Sequence, residues 1–166
     1  MASSLRLAMY LDGANIDMAS KAAGIGIDYV RFRTFLGGTR QIAIAKYYNS
    51  NPTSDGERAF YARVRAAGFE VWLGPYKRPN LPQKEIDVQI AVDMVGAAFT
   101  NLFDIVLLVS GDGDFAPAVR KMLSMGKLVE VASFDDRMRQ EFSWSLKSIA
   151  SRTIDLTVNM DKFKMK

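Results

Sequence analysis

Aspartates at the ends of apolar runs are the residues best placed to do chemistry in this sequence. Asp112 and Asp114, separated by one glycine, follow the run LLVS, and Asp12 follows the run that ends in MYL. Asp87 lies in the mostly apolar segment KEIDVQIAVDM. Like charges gathered in one site must take up protons or bind a cation. Because oxygen-only ligands favour Mg²⁺ or Mn²⁺ over softer metals, the four aspartates predict a site for one or two such ions.

The chemistry expected of such a site is phosphodiester hydrolysis. Two ions held about 3.5–4 Å apart activate a water molecule and stabilise the oxygen that leaves. Gly111 and Gly113 would let the backbone turn sharply enough to aim Asp112 and Asp114 into one pocket. Simpler roles stay open, because Asp114 could be only the N-cap of the following helix, and Asp12 could belong to a plain Asp-Gly turn.

Three polar residues near these acids are candidate substrate-binding groups, each with a structural alternative. Asn15 could hydrogen-bond a phosphate or a metal-bound water, or could cap the helix after it. Lys84 lies one helical turn before Asp87, where it could bind the scissile phosphate or simply balance the acids. Ser110 offers either a hydroxyl to the site or a turn. Asp93 lies about 240° around the helix axis from Asp87, so we expect it to have a structural role.

Two residue types are absent, and their absence excludes whole classes of chemistry. The chain has no cysteine and no histidine. Without cysteine there is no disulfide framework, no thiolate nucleophile and no cysteine-based metal or iron–sulfur site. Without histidine there is no Ser-His-Asp triad and no imidazole acid or base. Any catalysis would use carboxylates, lysine, arginine, tyrosine, serine, backbone amides or a hard metal ion.

Size and composition predict a single domain with a substantial core. The chain has 166 residues, of which 49% are hydrophobic, so we expect one domain over 1–166. The chain becomes a short basic tail from about residue 159, and its last residues, DKFKMK, are expected to fray. No apolar run approaches the roughly 18 residues that a membrane helix needs, and we expect a cytoplasmic protein. A net charge of +4 fits either ordinary solubility or the steering of a polyanionic substrate.

Apolar runs alternate with helix-compatible segments, which is the pattern of an α/β fold with a mostly parallel sheet. The predicted strands are Leu5–Leu11, Gln41–Tyr48, Phe69–Leu73, Asp104–Ser110 and Leu128–Ala132. The predicted helices are 28–37, 55–67, 85–100, 114–125 and 137–148. The C-terminal stretch SWSLKSIASRTIDLTV predicts a short helix and then an added strand or docking segment.

The ends of these elements support the boundaries and the placement of the acids. Asp55 and Asp114 are predicted N-caps, and Gly68 and Gly126 lie where helix C-caps belong. Ligands of open α/β sheets bind at the carboxyl ends of the strands. The acids that follow the first and fourth strands should meet there, beside the first turn of the helix that carries Asp87.

The segment GPYKRPNLPQKE, residues 74–85, lies between the third strand and that helix. It is either an exposed loop stiffened by its prolines or a flap beside the pocket. As a flap it would place Lys77 and Arg78 on phosphates and stack Tyr76 on a base. Three residues that end the second strand would contact nucleic acid at the same edge or only pack: Tyr47, Tyr48 and Asn49.

The segments YLDGANID, KEIDVQIAVDM and LLVSGDGDFAPAVRKMLSMGKLVEVASF, in this order, resemble the NYN domain family of the PIN-like nuclease superfamily. More narrowly they resemble its bacterial LabA-like group, across about residues 7–156. The resemblance implies a PIN-like three-layer α/β/α sandwich, an acidic metal pocket and ribonuclease activity. Carried over by motif, Asp12 is the acid of the first strand and Asp87 that of the K-x-x-D helix. Asp112 and Asp114 are the acids of the S-G-D-x-D-F loop.

The function we predict is a Mg²⁺- or Mn²⁺-dependent ribonuclease that leaves 5′-phosphates. Its partners are RNA and, because a domain of this size presents only a short groove, a second copy of the chain. The alternative is an RNA- or protein-binding regulatory module of LabA type with little turnover and a regulatory protein partner. A haloacid-dehalogenase-like phosphatase would need an aspartate where Ala14 stands, and a P-loop nucleotidase would need a G-x-x-x-x-G-K-[ST] motif that is absent.

Overall fold

The computed structural model of the chain, which describes residues 5–76, 84–135 and 142–166, is built on a six-stranded parallel sheet. The strands are β1 (Arg6–Asp12), β2 (Gln41–Ser50), β3 (Glu70–Gly74), β4 (Ile105–Val109), β5 (Leu128–Ser133) and β6 (Arg152–Asp155). The helices are α1 (Gly13–Ala22), α2 (Tyr29–Gly37), α3 (Asp55–Ala66), α4 (Lys84–Ala98), α5 (Ala116–Ser124) and α6 (Trp144–Ile149). Single 3₁₀ turns lie at Gly113–Phe115 and Met160–Lys162. The predicted α/β class with a parallel sheet is confirmed.

Helices cover both faces of the sheet, which explains the apolar character of its central strands. On one face α1, α2 and α3 pack on Leu7, Met9 and Leu11 of β1. On the other face α4, α5 and α6 pack on Ala8 and Tyr10 of the same strand. Successive side chains of a strand point to opposite faces, so β1 supplies both cores. The neighbouring β4 is buried at all five positions, as a strand covered on two sides must be.

The strand order places a switch point between β1 and β4. The order across the sheet is β3-β2-β1-β4-β5-β6, and every pairing is parallel. From β1 the chain builds outward through β2 to β3, and α4 then carries it back across the sheet to β4. Ligands of open α/β sheets bind outside the carboxyl ends of the strands at such a reversal. The fold therefore selects the ends of β1 and β4 as the place to look for a site.

Several helix ends differ from the predicted boundaries. Ser54 rather than Asp55 caps α3, because its hydroxyl accepts from the amide of Glu57 over 3.1 Å. The predicted C-cap glycines are confirmed, since Gly68 and Gly126 have φ of +94° and +78°, where a Cβ is strained. The helix predicted over 137–148 begins at α6 within the described residues, and part of its predicted range lies outside them.

The C-terminal end is packed, so the prediction of a frayed tail is wrong. The side chain of Phe163 is fully buried and contacts the rings of Phe32 and Phe134. Its carbonyl accepts from the amide of Asp28 over 2.9 Å, and Lys164 forms a β-bridge with Ile27. The segment DKFKMK is mostly basic, but its one aromatic residue packs into the core.

Within the described residues, no helix has the length and apolar character to cross a membrane.

Candidate active site

Asp12 ends β1 at the switch point and is held by two hydrogen bonds. One carboxylate oxygen, Oδ1, accepts from the amide of Asn15 over 3.1 Å, which makes Asp12 the N-cap of α1. The other oxygen, Oδ2, accepts from the hydroxyl of Ser110 over 2.9 Å. The residue is only 4% exposed. Burial raises the pKa of this carboxyl, the two hydrogen bonds oppose that rise, and the charge of Asp112 adds to it.

Ser110 and Asn15 connect the end of β1 to the loop after β4. The Ser110 hydroxyl donates to Asp12 and accepts from the amide of Asp112 over 3.2 Å. The side-chain carbonyl of Asn15 accepts from the amide of Gly111 over 3.1 Å. Ser110 is fully buried and its hydroxyl is engaged in both of these hydrogen bonds, and its role in substrate binding stays a prediction. Both residues fix the acidic loop against α1, and Asn15 is not the cap of that helix.

Asp112 and Asp114 follow β4 in a 3₁₀ turn that leads directly into α5. Asp112 Oδ1 accepts from the amide of Asp114 over 2.9 Å, so Asp112 is the cap and the predicted capping role of Asp114 is wrong. The carboxylate of Asp114 is exposed and that of Asp112 partly so. A Cβ on Gly113 would lie 2.7 Å from the hydroxyl oxygen of Ser143. Glycine is required here because Ser143, the residue before α6, packs against the loop.

Asp87 joins these acids from the first turn of α4. Its pKa is raised to about 6, first by burial and then by the negative charges of Asp12, Asp112 and Asp114. The positive charge of Lys84, on the same helical turn, partly opposes the rise. The fold therefore brings four carboxylates from three distant segments near enough to repel one another. This is the juxtaposition that their positions after β1, after β4 and on α4 predict.

The donor chemistry of this group fits a hard divalent cation. All four side chains offer carboxylate oxygens, and their mutual repulsion is relieved by positive charge. In 5–76, 84–135 and 142–166, no three acidic side chains are gathered closely enough to hold a metal ion as they stand. The fit of Mg²⁺ or Mn²⁺ therefore rests on ligand type and on charge.

The predicted substrate-binding residues of the flap are only partly described. Lys84 is exposed at the start of α4, on the same turn as Asp87. Tyr76 lies two residues after β3 with 63% of its surface exposed, so its ring is accessible. Lys77 and Arg78 lie outside the described residues.

The residues that end β2 serve as packing and support. Tyr47, Tyr48 and Asn49 are buried, so they do not contact nucleic acid. The hydroxyl of Tyr47 and the amide nitrogen of Asn49 each donate to Asp17 Oδ2 over 3.2 Å. Asp17, which the sequence reasoning missed, thus anchors α1 on β2, and its charge also raises the pKa of the Asp12 carboxyl.

Asp93 has the structural role predicted for it. Its Oδ2 accepts from the hydroxyl of Tyr48 over 2.6 Å and from the ammonium of Lys46 over 3.4 Å. Its Oδ1 accepts from the side-chain amide of Gln89 over 2.7 Å. Asp93 therefore joins α4 to β2 and does not point toward the four-carboxylate group.

The sequence analysis also did not identify one exposed aromatic residue beside the acidic loop. Trp144, the first residue of α6, has 79% of its surface exposed. The amide of the preceding Ser143 donates to the carbonyl of Gly111 over 2.9 Å. Phe142 and Leu146 are buried on either side, which anchors the segment. In the sequence this tryptophan stands 32 positions after Asp112, and nothing local shows that the two segments meet.

Comparison with known proteins gives two relatives that each align with 91% of this chain. The chain is 30% identical over 151 residues to an uncharacterised protein of Methanocaldococcus jannaschii, covering 91% of this chain but 55% of that protein. It therefore spans about half the length of this relative. It is 25% identical over 161 residues to the low amplitude and bright protein LabA of Synechococcus elongatus, covering 91% of this chain and 83% of LabA.

A solved structure has the same fold across nearly the whole chain. A Vibrio parahaemolyticus protein of unknown function matches with a TM-score of 0.84 and 27% sequence identity. The match covers 99% of this chain and all of the other. The family model of the NYN domain matches residues 6–157, which run from β1 to just beyond β6. The chain therefore belongs to the NYN domain family.

Proposed function

We propose that this chain is a Mg²⁺- or Mn²⁺-dependent ribonuclease. The observation that carries the proposal is the placement of four aspartates after β1, after β4 and on the first turn of α4, and the charges of three of them help to raise the pKa of the fourth, Asp87. A fold that brings four like charges to one edge gains nothing for stability from the arrangement. The strand order puts this group at the switch point of the sheet, where α/β proteins bind ligands.

Family membership supports the same reading. NYN domains generally belong to nucleases, and nucleases of this kind usually use a divalent metal. With no histidine and no cysteine in the chain, carboxylates are the groups left to supply the ligands. Bound by Asp12, Asp87, Asp112 and Asp114, Mg²⁺ or Mn²⁺ would supply a water of lowered pKa and positive charge beside the leaving oxygen.

The chain's own residues have separate tasks in this proposal. Ser110 and Asn15 fix Asp12 and the acidic loop relative to each other, so the carboxylates are positioned before substrate arrives. Asp87, with a pKa of about 6, carries its proton in mildly acidic solution and loses it at neutral pH. The set therefore reaches full negative charge only near neutrality, where its affinity for cations is greatest.

RNA is the substrate that the surroundings favour. The net charge of +4 steers a polyanion toward the protein, and Lys84 stands beside Asp87 to contact a phosphate. Tyr76 and Trp144 are exposed aromatics near the carboxyl edge of the sheet, on which unpaired bases could stack. Lys77 and Arg78 lie outside the described residues and stay predicted phosphate contacts. The proposed products carry 5′-phosphates.

The test is cleavage of end-labelled single-stranded and hairpin RNA in Mg²⁺, in Mn²⁺ and in chelator. Wild type is expected to cleave only with metal, and Asp12→Asn and Asp112→Asn to lose activity by about a thousandfold or more. Asp55→Asn makes the same chemical change on a side chain that is 98% exposed on α3, and should keep full activity. No cleavage with either metal, or cleavage that survives in Asp112→Asn, would contradict the proposal.

A regulatory module with little turnover is the second candidate. Two observations favour it: the described acids are not gathered as metal ligands, and LabA bears a name that describes no chemistry. Calorimetric titration with Mn²⁺ separates the two. Micromolar binding that disappears in the double variant Asp112→Asn, Asp114→Asn supports the nuclease, whereas RNA or protein binding with no metal dependence supports the regulatory module.

A further inference from the structure

Helix α4 is apolar on two opposite faces, and the residues that the structure describes cover only one of them. Its inner face, which packs on the sheet, is buried at Ile86, Ile90, Met94 and Ala98. Each outer position is offset from an inner one by about half a turn, because two residues rotate roughly 200° around a helix. A surface helix of a globular domain normally carries polar residues on that outer side.

The outer face carries large apolar side chains instead. The exposed fractions of Val88 and Val92 are 60% and 59%, and those of Phe99 and Leu102, just beyond the helix, are 76% and 55%. Val88, Val92 and Phe99 are four and seven residues apart, the spacing of one helix face, and Leu102 follows in the turn after α4. A contiguous apolar patch of this kind marks an interaction surface, whereas single exposed side chains do not.

We propose that this α4 face, defined by Val88, Val92, Gly96, Phe99 and Leu102, is the interface of a homodimer of this chain. Charge argues for a second copy as the occupant. From Val88 to Leu102 the only charged residue is Asp93, which bonds inward to β2 and to Gln89. Two molecules with a net charge of +4 repel, so an uncharged face is where they can approach. A nucleic acid would need basic groups that this stripe lacks.

The stripe is also complementary to itself. A Cβ added at Gly96 would find no atom within 4 Å, so this position is an open notch in the outer face. In an antiparallel pair with its two-fold axis between Val95 and Gly96, Phe99 of one copy opposes Val92 of the other. Leu102 then opposes the region of Val88. Each large side chain meets a smaller one across the axis, as an isologous interface requires.

The area predicts a reversible dimer. The four exposed side chains present apolar surface on the order of 400 Å² per copy, about half of the roughly 800 Å² per partner in a stable interface. Because Asp87 precedes Val88, both acidic groups would lie beside the interface. The dimer does not depend on the proposed ribonuclease activity.

The experiment is analytical ultracentrifugation of the full chain from roughly 10 to 500 µM, without RNA or metal. Wild type is expected to shift from monomer to dimer over this range. Val92→Glu should remain monomeric because each copy would bury an unpaired carboxylate against Phe99 of the other, although it lowers the net positive charge that keeps molecules apart. Val30→Glu is the matched control, since Val30 is also 60% exposed but lies on α2, on the other face of the sheet.

Gly96→Gln is a second variant that keeps the fold. The open notch accepts a side chain in the monomer, and glutamine favours helix, so the thermal transition should not fall. The dimer should be lost because the notch is filled. A wild-type chain that stays monomeric at 500 µM, or a dimer that persists in both Val92→Glu and Gly96→Gln, would overturn the proposal.

Discussion

The hydroxyl of Ser110 donates to Oδ2 of Asp12 over 2.9 Å, joining the ends of two strands that are 98 residues apart in the chain. The hydroxyl oxygen of Ser110 in turn accepts from the amide of Asp112, so one buried hydroxyl contacts two of the four acidic residues. A hydroxyl both donates and accepts, which no apolar residue of the same size can do. Two of the four acids, Asp12 and Asp112, are thus held relative to each other by the protein itself.

Replacing Ser110 by alanine should therefore weaken the site and the fold together. The loss of a donor to the buried carboxylate raises the pKa of Asp12 further, because that hydrogen bond opposes the effect of burial. Stability should fall by about 1 kcal/mol, the usual cost of one buried hydrogen bond. The acidic limb of the pH–activity profile should shift to higher pH. Urea unfolding and a pH profile of RNA cleavage measure the two effects.

Ser124→Ala is the control for this change, because its hydroxyl bonds only to the exposed carbonyl of Lys121 at the end of α5. It should leave both the unfolding midpoint and the pH profile in place. If the acidic limb of the pH–activity profile lay at the same pH in Ser110→Ala as in wild type, the hydrogen bond would not be lowering the pKa of Asp12.

Asp87→Asn should make the metal-free protein more stable at neutral pH. The pKa of Asp87 is raised to about 6 in the folded state, so the native protein holds this proton more tightly than the unfolded chain does. Stability is therefore greatest below the unfolded pKa and falls as the pH rises through about 6. The asparagine avoids this loss. We expect a gain of about 1 kcal/mol at pH 7.5, less than the pKa difference alone implies because the carboxylate is half solvated and its charge is screened.

Guanidinium unfolding at pH 7.5 and pH 4, both in chelator, tests the sign. The gain should disappear at pH 4, where Asp87 is protonated in wild type. Glu85→Gln changes the charge of an exposed residue on the same turn of α4 and should show no such pH dependence. A variant that is less stable than wild type at pH 7.5 would show that Asp87 makes a favourable contact that outweighs the repulsion.

Much of the fold could be predicted because its causes are local. The run IVLLV at β4 is apolar throughout, and only a strand covered on both faces needs that pattern. A parallel sheet puts the ends of β1 and β4 at one edge, so the meeting of Asp12 with Asp112 follows from topology. The contribution of Asp87 follows from its position on the first turn of α4.

The features that could not be predicted from the sequence are contacts that local sequence does not encode. Asp112 rather than Asp114 caps the turn, because the carboxylate of Asp112 accepts from the amide of Asp114. The burial of Ser110 is decided by its neighbours from β1, and that of Phe163 by α2 and β5. The segment that precedes Trp144 lies beside the acidic loop because the amide of Ser143 donates to the carbonyl of Gly111. Each of these needs the assembled sheet.

Trp144→Ala should raise the KM for single-stranded RNA about tenfold and change kcat by less than about twofold, because stacking on one aromatic ring contributes binding without touching the reacting phosphate. Trp144→Phe should recover part of the affinity. Steady-state cleavage of a short RNA measures both constants. Quenching of tryptophan fluorescence by the same RNA in an Asp112→Asn background measures binding without turnover.

Trp72 provides the internal reference for that titration, because it packs between Tyr48 and Gly74 and is less exposed. Its emission should remain in Trp144→Phe and should not respond to RNA. An unchanged KM in Trp144→Ala would remove this residue from the substrate path while leaving the acidic group untouched.

Replacing glycine by alanine should have opposite effects on stability at two positions of the chain. A Cβ at Gly13 would collide with the ring of Tyr47 and lie 2.6 Å from the carbonyl oxygen of Tyr48, so α1 could not start so close to β2. Gly13→Ala should cost about 2 kcal/mol or more, and it should also displace Asp12, the residue that caps α1. Gly96→Ala meets no atom within 4 Å and replaces glycine inside α4, so it should stabilise the monomer by about 0.5–1 kcal/mol. Thermal unfolding at about 5 µM protein, low enough to exclude association, should give a lower midpoint for the first variant and a higher one for the second. Equal midpoints would mean that the backbone at Gly13 yields to the added methyl, and that the start of α1 does not fix the position of Asp12.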